Sequence, residues 1–125
     1  MITTAAALRC QGLIKRFAET TAVDRLDLTV PTGSILGLLG PNGSGKTSTI
    51  RTTLGIYVPD GGSVDVLGSR DPLSVRHRVG YLPEERGLYA KMKVVEQLAF
   101  LASIRGLDQK ESTRRAGAWL DRVGL

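Results

Sequence analysis

The sequence predicts an α/β protein, and three observations carry the prediction. A short apolar run, Ile35-Leu36-Gly37-Leu38-Leu39, follows a Pro31-Thr32-Gly33-Ser34 turn, as a strand buried on both faces would. The octet Gly40-Pro41-Asn42-Gly43-Ser44-Gly45-Lys46-Thr47 comes directly after it and fits G-x-x-x-x-G-K-[ST], a pattern in which glycines let backbone N–H groups converge on phosphate. From Thr47 to residue 56, Ile50 and Leu54 recur at helical spacing. Strand, loop and helix therefore stand in the order that a helix N-terminus needs to cradle an anion. In that pattern Lys46 reaches the β- and γ-phosphates, the Thr47 hydroxyl ligates Mg²⁺, and amides from about Gly43 to Thr47 surround the phosphates.

The other elements follow in chain order. Residues 8–17 and 22–30 read as two strands forming a hairpin or antiparallel ribbon. After the first helix, Val58-Pro59-Asp60-Gly61-Gly62 is a dense turn signal, and residues 63–68 resume the alternation of a strand. Asp71-Pro72 predicts a short helix with Asp71 as N-cap and Pro72 at its first position. Val79-Gly80-Tyr81-Leu82 reads as another buried strand, stopped by Pro83. Beyond it the period changes. Val94, Leu98, Leu101 and Ala102 predict one helix face, and Ala116, Trp119, Leu120 and Val123 a second, with Asp108 as the N-cap between them.

Composition places 125 residues within one ordinary domain, with 42% hydrophobic residues and no apolar run of membrane-spanning length. The net charge of +5 suits anionic ligands or a membrane surface. The basic residues are scattered, however, so charge alone does not indicate nucleic acid. The densest basic stretch, Arg76, Arg78, Arg86, Lys91 and Lys93, reads as a solvated face or a partner contact. A lone cysteine, Cys10, excludes an internal disulfide and fits a reducing compartment. No basic start followed by an apolar stretch opens the chain.

Phe17 before the first turn, the 40–47 octet, and Gly80-Tyr81-Leu82-Pro83-Glu84 ahead of a helical segment together resemble the amino-terminal half of an ATP-binding cassette, the motor domain of ABC transporters. The resemblance covers nearly the whole chain. It implies a P-loop NTPase cassette with an amino-terminal antiparallel β part, a partial parallel-sheet core, and the start of a helical subdomain. Residues 1–92 would be the partial nucleotide-binding core and 93–125 the beginning of the helical subdomain. The nucleotide-binding set it implies is Phe17, Gly40, Pro41, Asn42, Gly43, Ser44, Gly45, Lys46, Thr47 and Ser48, with Phe17 stacking on adenine. Glu84 falls where the family usually has a glutamine that senses Mg²⁺ and attacking water and touches the membrane partner. A carboxylate there favours metal contact but cannot donate a hydrogen bond when ionised. Lys46 and Glu84 are thus the implied catalytic residues, and Thr47 and Glu84 the implied metal ligands. Glu85 takes the place of Glu84 if the register slips by one.

The phrase from Tyr81 to Tyr89 looks most like cassettes paired with exporter-type membrane subunits; Ala90 and Ser48 are small departures from it and from the octet. The resemblance implies ATP and Mg²⁺ as cofactors, a transmembrane permease subunit and a second cassette as partners, no nucleic acid, and a cytoplasmic place at the inner face of the membrane. The family's second acidic strand with its catalytic glutamate, its switch histidine and its Leu-Ser-Gly-Gly signature do not occur in these residues. His77, the only histidine, precedes Glu84 and reads as a surface residue. The simplest expectation is an amino-terminal fragment of a longer ATPase, truncated and inactive alone, whose 35–39 strand lacks a sheet neighbour. Two other readings stay open at this point: a nucleotide-binding module without turnover, and a soluble cassette acting on nucleic acid. A GTPase ranks last, because no Asn-Lys-x-Asp occurs.

Overall fold

The structure, a computed structural model, describes residues 5–84, 87, 89 and 91–125. They form two compact units that divide after Tyr81.

The first unit is built on a long central strand, β1 (Ala6–Phe17), with β2 (Thr20–Pro31) and β3 (Gly61–Val66) antiparallel on either side, in the order β2-β1-β3. A two-residue turn joins β1 to β2 and pairs Phe17 with Thr20. The ladder is interrupted where Cys10 pairs with Leu28 but Leu13 pairs with Leu26, so that two residues of β1 oppose one of β2. Gly12 occupies this bulge at φ 55, and its amide donates to the Asp27 carboxylate at 2.7 Å. Asp27, an acid in an apolar stretch, therefore serves the sheet itself.

Alternation along the strands, reset within β1 by the bulge at Gly12, sends Cys10, Leu13, Val23, Val64 and Val66 to one buried cluster, flanked by Leu26, Leu28, Val75 and Val79. Burial pushes the Cys10 thiol above its ordinary value, consistent with an inert core residue. Leu13 is 0% exposed. Leu13→Ala is expected to cost about 2–5 kcal/mol of stability, whereas Ile35→Ala, at a fully exposed position, should change it by less than about 0.5 kcal/mol. Urea unfolding of the two variants checks the contrast.

Helix α1 (Lys46–Thr53) packs on this sheet through Thr49, Thr52 and Thr53. Their burial corrects the expected apolar face, since Ile50 is exposed and Leu54 only half-buried. Threonine can face the sheet because its hydroxyl turns back on the helix: Thr52 Oγ1 donates to Ser48 O at 2.7 Å, and Thr53 Oγ1 to Ile50 O at 2.8 Å.

Residues 35–39 and 79–82, both expected as buried strands, join no ladder. Leu39 is 93% exposed and Leu82 equally so. A strand of parallel type is buried only when neighbours cover it, and among the described residues none pairs with either segment. The expected helix at Asp71-Pro72 is instead a run of turns ending in a 3₁₀ segment, Arg76–Arg78. Asp71 does cap it, accepting the Leu73 amide at 3.0 Å, but the Ser69 and Ser74 hydroxyls divert the following backbone. His77 lies exposed in the 3₁₀ segment.

The second unit, Leu82–Leu125, is a helical hairpin of α2 (Val94–Ile104) and α3 (Gln109–Val123). Asp108 caps α3 as expected, accepting the amides of Lys110 and Glu111, and Gly124 ends it at φ 76. Apart from Ala116, which is buried as expected, the helix faces differ from expectation. Small and polar residues, Gln97 and Ala99 on α2 and Ser112 and Ala116 on α3, are buried, while Val94, Leu101, Trp119 and Val123 stay exposed. Gln97 is held by the preceding loop, with Nε2 donating to Tyr89 O at 2.8 Å and Oε1 accepting the Tyr89 amide at 3.2 Å. Its burial follows from that pairing.

Glu111 accepts from Arg114 at 2.7 Å and from Arg115 at 2.6 Å. Hydrogen bonds from Arg114 first and Arg115 second lower its carboxyl from 4.5 to about 2. A depressed folded value means stability present above the unfolded one and lost as pH falls. Glu111→Gln should therefore flatten the fall in helical content between pH 4.5 and about 2, read by circular dichroism.

Candidate functional site

The 40–47 octet forms a loop closed at both ends by glycine chemistry. The Ser44 amide donates to Pro41 O at 3.3 Å, making a turn whose third residue, Gly43, sits at φ 81, a value open to glycine. Gly45, at φ 88, forms the N-cap of α1, and a Cβ there would run into the carbonyl oxygen of Ala22 on β2. A Cβ on Gly40 would meet Ser44 Oγ at 2.6 Å. The loop thus lies directly on the β1–β2 hairpin. Only a residue without a side chain allows that approach at Gly45.

The first helical bond runs from the Thr49 amide to Gly45 O at 2.8 Å. The N–H groups of Gly45, Lys46, Thr47 and Ser48 therefore precede the ladder and remain available outside it. No acidic side chain occupies the first turn of α1, so the positive end of the helix meets no carboxylate of its own. Lys46 Nζ donates to Gly40 O at 2.7 Å and Pro41 O at 2.8 Å. Two of its three N–H bonds brace the rim of the loop and the third remains for a ligand. A hollow of about 380 Å³ adjoins the loop, lined by Ala22, Leu26, Leu39, Gly40, Ser44 and Lys46 among others.

Phe17 ends β1, 40% exposed. Its ring meets Tyr57 nearly at right angles with centroids 5.1 Å apart, and Lys15 Nζ lies over it at 5.2 Å. The Tyr57 hydroxyl accepts from Arg51 Nη1 at 3.1 Å, and Tyr57 first, then Tyr81, hold that guanidinium above its usual value. Thr47 is exposed and Ser48 half-buried at the start of α1; Pro41 and Asn42 are exposed. Glu84 is exposed and belongs to the second unit. Glu85 and Ala90 lie outside the described residues. Of the expected nucleotide-binding residues, the first unit holds the octet and Ser48 in one stretch, and Phe17 on the hairpin that Gly45 touches. Sequence reasoning missed Lys15, Tyr57 and Asp60 around Phe17: the 58–62 stretch carries only a turn signal, and no local pattern marks Lys15 or Tyr57 as a partner of the ring.

A family model described as ABC transporter matches residues 23–125. The chain belongs to the ABC transporter family. Among curated relatives of this ABC chain, an uncharacterized ABC transporter ATP-binding protein of Bacillus subtilis, YhaQ, is 44% identical over 118 residues, which are 94% of this chain and 40% of the relative. The daunorubicin/doxorubicin resistance ATP-binding protein DrrA of Streptomyces peucetius is 35% identical over 122 residues, 95% of this chain and 37% of that protein. A solved ATP-binding subunit of an ABC transporter superposes with a TM-score of 0.74 at 28% identity, covering 92% of this chain and 49% of that one. The ABC chain described here therefore spans about two fifths of the curated relatives and half of the solved one. The family match starts after Phe17 and includes the whole octet.

For a member of this family the bound group would be a nucleoside triphosphate, and the loop has the donor set for it: main-chain N–H groups and one ammonium, with no acid in the first turn of α1 and Asp24 among the residues that line the adjoining hollow. Among the described residues no cluster of three His, Cys, Asp or Glu could hold a metal. No helix among the described residues is long and apolar enough to cross a membrane.

Proposed function

We propose that this chain is the ATP-binding part of an ABC transporter ATPase subunit that powers solute transport, in the export direction, across a membrane. The observation that carries the proposal is the loop: four N–H groups ahead of the first bond of α1, with the Lys46 ammonium beside them and Gly45 packed where no side chain fits. The export direction is read from the Tyr81 to Tyr89 phrase.

In this reading Gly40, Pro41, Asn42, Gly43, Ser44, Gly45, Lys46, Thr47 and Ser48 hold the phosphates, and Phe17 stacks on the base. The Thr47 hydroxyl would hold Mg²⁺, which when bound offsets phosphate charge. Lys46 withdraws charge from the terminal phosphate, and Glu84, on the second unit, meets a transmembrane permease subunit. Two such cassettes close on ATP, at the cytoplasmic side of the membrane. Hydrolysis is proposed for a whole cassette and not for these residues alone, since the acidic strand, switch histidine and signature that complete the family's reaction are not among these 125 residues. Calorimetric titration with MgATP beside a phosphate-release assay tests the reading. Saturable binding with no release from the 125-residue chain is expected; no binding at millimolar MgATP by the folded chain would overturn it.

A further inference from the structure

Phe17 is held by neighbours other than the core. The buried cluster lies around Cys10, Leu13 and Val64, at the middle of the sheet, whereas Phe17 stands at the outer end of β1. What fixes its ring is the segment 57–60, which is fastened to the last residues of β1 at four points. The Asp60 amide donates to Ile14 O at 2.9 Å, and the Arg16 amide donates to Asp60 Oδ2 at 2.7 Å. Lys15 Nζ donates to Val58 O at 2.8 Å and pairs with Asp60 Oδ2 at 2.9 Å. The Arg16 amide first, and the Lys15 ammonium second, hold the Asp60 carboxyl below its usual value, so the acceptor stays ionised at neutral pH.

This clamp has a geometric result. It delivers the Tyr57 ring to Phe17 in a near-perpendicular contact, 77° between planes, the arrangement the aromatic quadrupoles favour. It also sets the Lys15 ammonium over the Phe17 ring. With Lys15 over the ring and Tyr57 beside it, the exposed part of Phe17 is limited to what those two leave open.

We infer that Tyr57 is a positioning residue for base stacking, fixing the tilt of the Phe17 ring so that its open face receives the purine of a nucleotide whose phosphates lie in the 40–47 loop. The inference rests on the reading of Phe17 as the base platform. It separates base affinity from phosphate affinity: Tyr57 governs the first and leaves the second alone, because the loop is seated on β2 through Gly45 and Ala22.

The test compares two ligands of the same phosphate chemistry, MgATP and magnesium tripolyphosphate, the second having no base, titrated into the 125-residue chain by calorimetry. Phe17→Ala should weaken MgATP roughly 5- to 100-fold and leave tripolyphosphate unchanged. Tyr57→Ala should weaken MgATP about 2- to 10-fold, again with tripolyphosphate unchanged. Tyr57→Phe, which keeps the ring and loses only the bond from Arg51, should bind both ligands as the parent does. Tyr57→Leu, of similar bulk without an aromatic edge, should behave like the alanine variant and keeps the test open if that one fails to fold. If Phe17→Ala weakens MgATP but neither Tyr57→Ala nor Tyr57→Leu does, the positioning role is overturned and the platform stands. If the Tyr57 variants weaken both ligands equally, Tyr57 is a general structural residue and the inference fails. If Phe17→Ala itself leaves MgATP untouched, the platform reading falls, and this inference with it.

Discussion

Gly45→Ala is expected to reduce MgATP affinity by about 100-fold or more and to lower the stability of the first unit. Two independent costs meet at this position. The left-handed backbone at φ 88 costs an alanine about 1–2 kcal/mol, and the added Cβ would strike the Ala22 carbonyl oxygen, a main-chain atom that cannot rotate away. Relief requires lifting the loop off β2, which moves the N–H groups of Gly45 to Ser48 away from their common focus. Loss of two charge-assisted hydrogen bonds at about 1.5–3 kcal/mol each accounts for the affinity change. Gly43→Ala is the control. Its φ of 81 carries the same backbone cost, but no atom lies within 4 Å of the added methyl, so its effect on binding should be clearly smaller. Calorimetry and urea unfolding of the two variants check the order; equal effects would show that the seat on β2 does not matter.

Lys46→Ala should weaken MgATP about 10- to 100-fold, the range of one charge-assisted contact of about 1.5–3 kcal/mol. The structure adds a second consequence. Because Nζ also braces Gly40 O and Pro41 O, its removal loosens the rim of the loop. The bonds are exposed, so the change in unfolding free energy should stay below about 1 kcal/mol. A variant with unchanged MgATP affinity would count directly against a phosphate-binding role for this loop.

The parts of the fold legible in the sequence are those decided locally. Alternation and turn residues place β1, β2 and β3 to within a few residues, and the Asp108 cap and the terminal Gly124 of α3 are chemistry of single side chains. The loop is legible for the same reason, since Gly43 and Gly45 are needed by their own backbone angles. Faces and pairings are not local. Ile50 and Leu98 have helical spacing, yet burial goes to Thr52 and Gln97, whose hydroxyl and amide find partners on neighbouring turns or loops. Residues 35–39 have every mark of a buried strand, and their exposure depends on neighbours that the run itself does not encode. The surroundings of Phe17 were hidden for a related reason: Tyr57 lies forty residues away, and only the clamp of Asp60 on β1 brings them together.

The most direct measurement of the central claim is a titration of the ¹⁵N-labelled 125-residue chain with MgATP, followed by amide NMR shifts. The amides of Gly45, Lys46, Thr47 and Ser48 should show the largest saturable downfield movements, as N–H groups outside the helix ladder take up phosphate oxygens. Saturation of the chain with those four resonances unmoved, and the shifts concentrated elsewhere, would contradict the account.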